Sequence, residues 1–147
     1  MLYISGRPAA VARLSGGTEA PLVRGTVRFY QRPDGVLVVA QVSGLPASPS
    51  GFHGFHIHDG VSCGGEQFAN SGSHFNPTNT SHPMHAGDLP PLYSCNGRAY
   101  LAVMTDRFSI ADILGRTVII HSDPDDFQTQ PSGNAGNKIA CGIIFRA

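Results

Sequence analysis

Charged side chains are scarce in this chain: Asp, Glu, Lys and Arg make up 14% of its 147 residues, against roughly 25% in ordinary soluble domains. That scarcity disfavours long surface helices laced with ion pairs. Long apolar runs are missing as well, since no stretch approaches the roughly 18 residues that span a bilayer as a helix. Residues 1–14 carry neither a charged lead nor a sustained apolar block of the kind that directs secretion. The sequence therefore predicts no membrane partner and a cytoplasmic location, with an exported form as the alternative. A surplus of charge of one sign is also absent. Ten basic residues balance ten acidic ones, which removes the global field that would attract nucleic acid or an anionic surface. Length sets one more bound: the chain can bury one core of ordinary size but not two comfortable ones, so residues 1–147 are expected to form a single domain. No internal repeat, linker or low-complexity tract divides it.

Glycine and proline are plentiful, 18 and 11 residues, and favour short strands joined by tight turns. Alternating or β-branched runs occupy residues 9–14, 22–30, 36–42, 52–58, 98–105, 117–121 and 139–145, the pattern of strands. Between Val23 and Tyr30, Arg24 and Arg28 share one parity and Val23, Val27 and Phe29 the other, as in a half-buried antiparallel strand. Arg32-Pro33-Asp34-Gly35 supplies turn chemistry for one hairpin and Asn96-Gly97 for a second. Only residues 109–114 suggest a helix, with Ser109 and Asp112 at capping-box spacing and Gly115 to close it. Seven or eight short strands without alternating helices predict an all-β antiparallel sandwich or barrel. Two segments, 59–93 and 122–138, resist any periodic reading. Loops longer than about 15 residues are uncommon in a compact domain unless they bind something or are disordered.

The binding reading is favoured by histidine. Of seven in the chain, six fall between His53 and His85. His56 and His58, two apart on a predicted strand, project from one face while Ile57 takes the other. His74, His82 and His85 follow in the first long loop with Asp88. Three nitrogens and one oxygen, with no thiolate, make an acceptable tetrahedral shell for zinc. His121 ends a distant strand and can return to the pair at 56 and 58. A single histidine is more often a hydrogen-bonded residue than a ligand; this parity and grouping argue otherwise.

Taken with their order, Gly54-Phe55-His56-Ile57-His58, Ser73-His74-Phe75-Asn76-Pro77, His85-Ala86-Gly87-Asp88-Leu89, His121 and the run from Gly133 to Gly142 resemble the signature segments of the copper,zinc superoxide dismutase family, in a bacterial-type variant. The likeness runs from about Ala9 to the C-terminus. It implies a Greek-key β-sandwich or flattened barrel of about eight strands, with long metal-binding and electrostatic loops. It makes His56, His58, His74 and His121 copper ligands, and His74, His82, His85 and Asp88 zinc ligands, His74 being shared and catalytic. Asp125 matches an aspartate that links a copper-ligand histidine to a zinc-ligand one, here His56 and His82. His53 matches a structural hydrogen-bonding residue. Cys63 and Cys141 match an intrasubunit disulfide, which would prefer an oxidising compartment, while Cys95 is left as a free thiol. The implied substrate is superoxide, with copper as the redox metal and zinc as the structural one. The likeness admits a homodimer or a monomer. The alternative is a catalytically weak, dismutase-like copper- and zinc-binding protein.

The chain departs from the family pattern in places. Lys138, the only lysine, stands where an arginine is usual; as a catalytic-site cation it is a flexible point charge and not a planar fork. The segment after His121 is short, with Gln128, Thr129 and Gln130 where relatives carry more charge. The spacing from Cys63 to His74 is longer and that from His82 to His85 shorter. The lysine predicts retained activity with weaker anion guidance, by roughly tenfold or less, the shorter segment after His121 a reduced electrostatic loop, and the reshaped zinc loop a zinc site less secure than the copper one.

Overall fold

The alternation in the sequence becomes a sheet. In the computed structural model, which describes residues 4–147, β1 (Ala10–Gly16) buries Ala10, Ala12 and Leu14 and exposes Arg13 and Ser15. β2 (Arg24–Arg32) buries Val27 and Phe29 on the same side, and β3 (Gly35–Ser43) buries Val36, Val38, Ala40 and Val42. Pro33 and Asp34 make the turn between β2 and β3, closed by the pairing of Arg32 with Gly35. Gly35 has φ 145° there, and a Cβ on it would come within 2.4 Å of the Thr105 carbonyl oxygen, so no larger residue fits.

The remaining strands are β4 (Phe52–His53), β5 (Phe55–His58), β6 (Leu92–Tyr93), β7 (Ala99–Thr105), β8 (Thr117–His121) and β9 (Lys138–Arg146). Seven of them form one antiparallel sheet in the order β5-β8-β9-β1-β2-β3-β7, and β4 pairs with β6 in a second. β6 lies against β7 at one edge of the large sheet, and β4 leads directly into β5 at the other. The curled sheet and its small companion enclose one core, in which Phe29, Phe55, Ile57, Leu92, Ile120 and Ile144 are fully buried. This is the all-β antiparallel barrel that the strand pattern predicts. Asn96 and Gly97, at φ 51° and 77°, make the tight reversal between Cys95 and Arg98, whose amides and carbonyls bond reciprocally at 2.7 and 3.0 Å. α1 (Ile110–Ile113) carries the expected capping box between Ser109 and Asp112. No helix of the described residues is long and apolar enough to cross a membrane.

Two details differ from the sequence reading. The single strand expected over 52–58 is broken at Gly54, whose amide donates to the Asp123 carbonyl at 2.9 Å while its own carbonyl accepts from His121 N–H at 2.8 Å. A Cβ there would meet the Ala135 Cβ at 2.7 Å. Glycine thus admits the loop after β8 and diverts β4 into the second sheet. The expected irregular segment 59–93 contains a 3₁₀ turn at Glu66–Ser71 and the short β6. Neither has a period long enough to register in sequence.

Cys63, just ahead of that turn, is bonded to Cys141 in β9 across a sequence separation of 78. Cross-linking a loop of that length stabilises by about 4 kcal/mol in the chain-entropy model. The Cys63→Ser/Cys141→Ser protein should therefore show a urea midpoint lowered by the equivalent of 2–5 kcal/mol, the usual range of about that size. A loss below about 1 kcal/mol would show that the segment is held by its other contacts, since surface changes alone stay within ±0.5 kcal/mol.

Candidate metal centre

β5 is the outermost strand of the large sheet, yet all four of its residues are buried. Its open edge is covered by the long loop that follows. Phe75 N–H donates to the Ile57 carbonyl at 2.8 Å, and Ile57 N–H donates to the Gly87 carbonyl at 2.9 Å. Isolated bridges pair His56 with Asp88 and His58 with His74. An exposed strand edge is a liability that a covering loop removes. Here the covering loop also carries His74, His82, His85 and Asp88 onto the two histidines of β5. His121 arrives from β8, where the register with β9 shifts between Ile120 and His121, so that His121 opposes Lys138. Such bulges re-aim side chains beside functional sites.

The structure brings the sequence-predicted residues together in two sets. One ligand atom each from His56, His58, His74 and His121 lie within 4.8 Å of one another, and so do atoms from His74, His82, His85 and Asp88. Rings of His56 and His74 are 4.1 Å apart between centroids, and those of His74 and His85 5.3 Å. In four of the rings the outer nitrogen is committed to the protein. His58 Nδ1 donates to the Gly72 carbonyl at 2.9 Å and His121 Nδ1 to the Gly136 carbonyl at 3.3 Å. His56 Nε2 and His82 Nε2 donate to the two oxygens of Asp125 at 2.7 and 2.8 Å. Each donation places the proton on the outer nitrogen and leaves an unshared pair on the inner one.

The inner nitrogens are the test of what the site can hold. His56 Nδ1, His74 Nε2 and His82 Nδ1 are buried without a hydrogen-bond partner. His58 Nε2 and His121 Nε2, both acceptors by the same logic, face each other at 3.4 Å. Buried polar atoms are rarely left unpartnered, and converging lone pairs repel unless a cation lies between them. An all-imidazole set suits copper, and three imidazoles with a carboxylate suit zinc. The residues fit both ions. His74 differs from the rest: it belongs to both sets, its Nδ1 lies 2.7 Å from Asp88 Oδ1 in the second, and its Nε2 is buried without a partner.

Burial lowers the pKa of His58 well below its ordinary value, against the Gly72 hydrogen bond, and holds His121 at about 3, with repulsion from His56 adding to the effect. For Asp125, burial would raise the pKa; the N–H groups of His56, His82 and Phe127 outweigh it and hold the carboxyl well below the usual carboxylate range. All these groups thus favour the protonation state that metal binding requires. The first set opens onto a pocket of about 450 Å³ lined by His58, His74, His121, Ser132 and Lys138. His53 stays out of both sets and, fully buried, lies with Nδ1 2.9 Å from the His121 carbonyl oxygen. Cys95 is a free, exposed thiol and belongs to neither set.

An antiparallel β-barrel carrying two adjoining ligand sets that share one imidazole belongs to the class of binuclear metalloproteins. A family model described as copper/zinc superoxide dismutase matches residues 23–144. The copper-zinc superoxide dismutase of Legionella pneumophila is 36% identical over 84% of this chain and 79% of its own length. That of Deinococcus radiodurans is 36% identical, covering 95% and 85%, and copper-zinc superoxide dismutase 3 of Arabidopsis thaliana is 38% identical, covering 95% and 91%. The chain belongs to the copper/zinc superoxide dismutase family.

Of the groups that hold the ligands from behind, the family resemblance pointed to Asp125 and sequence reasoning missed the others. The Gly72 and Gly136 carbonyls have no side-chain signal. Gln130, read from sequence only as a lost charge, grips the backbone of His82 at both ends, accepting from its N–H at 2.9 Å and donating to its carbonyl at 2.8 Å.

Two outcomes follow from this geometry. Asp125→Ala strips the partner from both His56 and His82, and affinity for each metal, measured by competition with chelators, should fall by about 10- to 100-fold; unchanged affinity would deny the carboxylate its orienting role. In the metal-free protein, His121 has a folded pKa of about 3 below an unfolded one of about 6.5, so the unfolded state binds more protons between those values. Stability is then complete above about pH 6.5 and declines as pH falls toward 3. Urea midpoints at pH 7, 5.5 and 4.5 should descend in that order.

Proposed function

We propose that the chain is a superoxide dismutase, converting two superoxide anions and two protons into dioxygen and hydrogen peroxide within one domain. In this reading His56, His58, His74 and His121 hold copper, and His74, His82, His85 and Asp88 hold zinc. The observation that carries it is His74, a buried imidazole shared by both ligand sets, with Nδ1 against Asp88 and Nε2 left without a protein partner. When bound, copper supplies one-electron oxidation and reduction, and zinc, which has no second oxidation state, supplies a fixed charge.

The chain's own residues supply the rest. Dismutation passes one electron from one superoxide to the other and consumes two protons, and His74 Nε2, free of any protein partner, is where a proton can be held and given up beside the pocket. The other three rings of the first set keep their protons on outer nitrogens tied to Gly72, Gly136 and Asp125. They hold geometry while His74 does the exchanging. Burial of the whole set excludes bulk water from behind, leaving the 450 Å³ pocket as the approach.

The substrate is a small anion, and a chain without net charge offers it no long-range attraction. Lys138 lines the approach with His58 and His121 and is the cation we assign to guidance. Burial lowers its pKa from the ordinary lysine value, opposed by the nearby charge of Asp59.

Protein loaded with equimolar copper and zinc should consume superoxide. Stoichiometric metal without turnover would instead mark a metal-binding relative that has lost catalysis. Lys138→Ala should lower kcat/KM at low ionic strength by up to about tenfold and flatten its salt dependence, since local focusing of this kind contributes 10- to 10³-fold. Identical salt profiles for the two proteins would remove Lys138 from the guidance role.

A further inference from the structure

Lys138 does not extend freely into the pocket. Its ammonium crosses to the far side, where Nζ lies 2.8 Å from Ser71 Oγ, 2.8 Å from the Gly72 carbonyl oxygen and 3.4 Å from that of Phe68. Ser71 is fully buried, and its hydroxyl donates its only hydrogen to the Phe68 carbonyl at 2.7 Å. The lone pairs of Oγ are therefore left for the ammonium. The Gly72 carbonyl is the same one that accepts from His58 Nδ1. We propose that Ser71 is a positioning residue, whose hydroxyl docks the ammonium of Lys138 at the edge of the pocket and converts a flexible cation into a fixed one. The proposal rests on the reading of Lys138 as the guiding cation.

The physical need for such a dock comes from the side chain itself. A lysine places a compact charge on a four-carbon stem and swings into solvent unless it is held, whereas a guanidinium can clasp two carbonyl oxygens at once with its rigid fork. Here three oxygens meet the three N–H groups of the ammonium, two closely and one at longer range. The charge is thus fixed in place and its donors are already used. Lys138 then acts on an approaching anion through its field and not through a hydrogen bond.

The segment that offers these oxygens is held in an unusual shape. Gln67 and Phe68 have φ of 49° and 58°, a left-handed backbone that costs non-glycine residues and persists only where surroundings over-determine it. The surroundings include the Ser71 hydroxyl on the Phe68 carbonyl, the Gly60 amide donating to the Ser71 carbonyl at 2.8 Å, and the Cys63–Cys141 bond a few residues earlier. Gly17 on the far side has no room for a Cβ, which would meet the Phe68 ring at 2.9 Å. Among the described residues, Ser71 is the one side chain that both supports this turn and touches the ammonium.

The test uses the full-length protein with native residues, Ser71→Ala, Lys138→Arg and the double variant, each checked for metal content and fold. Because Lys138 is the only lysine, labelling lysine with ¹⁵N gives a single side-chain ammonium signal, visible only while the group is held and sheltered from exchange. Ser71→Ala should erase that signal, lower kcat/KM at low salt three- to tenfold and flatten its salt dependence, with metal content unchanged. Ser71→Ala/Lys138→Arg should match Lys138→Arg within twofold, since the fork can use the Phe68 and Gly72 carbonyls without the hydroxyl. If Ser71→Ala does not fold, Ser71→Gly removes the same hydroxyl. Retention of the ammonium signal and of the salt slope without the hydroxyl would overturn the proposal, as would failure of arginine to restore the rate in a folded, metal-replete double variant. Should Lys138→Ala leave the rate untouched while loss of the Ser71 hydroxyl erases the signal, the docking stands and the guidance reading alone falls.

Discussion

The carboxylate of Asp125 is the joint on which the centre depends. Its two oxygens accept from His56 on β5 and His82 in the long loop, and Asp125 itself belongs to the segment after β8. Three parts of the chain that share no secondary structure thus meet at one side chain, buried except for a few per cent of its surface. A buried carboxylate is stable only when its lone pairs are answered by donors, and here each donor is a ring whose other nitrogen faces a different ligand set. Removing the carboxylate would leave two buried N–H groups unanswered and two rings free to take the wrong tautomer. Packing space reinforces the arrangement. A Cβ on Gly133 would lie 2.6 Å from His82 Nε2 and closer still to Asp125 Oδ1, so the glycine lets the returning chain pass directly over the joint.

Edge protection and ligand delivery are achieved by the same hydrogen bonds. β5 would otherwise expose a row of unpaired backbone groups; the loop from Asp59 onward covers them through Phe75 and Gly87, and in doing so sets His74 against His58 and Asp88 against His56. The ligand geometry is therefore a by-product of backbone pairing, which tolerates little sliding, since a slip of one residue would turn the opposite face of the segment toward β5. The disulfide and the Lys138 contacts act earlier in the same loop, at Cys63 and from Phe68 to Gly72, where no strand is available to hold it.

Legibility in the sequence followed periodicity and residue chemistry. Strands β1, β2, β3, β7, β8 and β9 announce themselves by alternation, and the turns at Pro33-Asp34 and Asn96-Gly97 by residues that accept the required backbone angles. The short helix was visible from Ser109 and Asp112 alone. The ligand histidines were conspicuous because imidazole is rare and their spacing on β5 repeats every second residue. Gly54 was invisible as a strand break: its role comes from Ala135 and Asp123, 81 and 69 residues away. The Gly72 and Gly136 carbonyls and the grip of Gln130 on His82 were invisible for a different reason, because backbone groups and neutral amides carry no compositional signal. What tertiary structure adds is mostly the set of acceptors that orient rings already identified.

A neutral chain that must handle an anion has to separate its charges locally. The acidic groups nearest the centre, Asp88 and Asp125, are consumed by histidine N–H groups or turned toward a ligand set, so neither confronts the pocket as a free charge. The cation beside it, Lys138, is answered mainly by neutral oxygens from Ser71, Gly72 and Phe68, which fix its position without cancelling its charge as a carboxylate would. Asp59 is the exception, an exposed acid that lines the same pocket and acts on Lys138; its Oδ1 accepts from the Ser73 amide at 3.0 Å, which fixes its position and leaves its negative charge in place. The field an approaching anion meets is thus set locally, by Lys138 against Asp59 at the pocket and by the charge of the ions the two ligand sets would hold, because screening over about 8–10 Å confines the field that matters to the groups nearest the pocket.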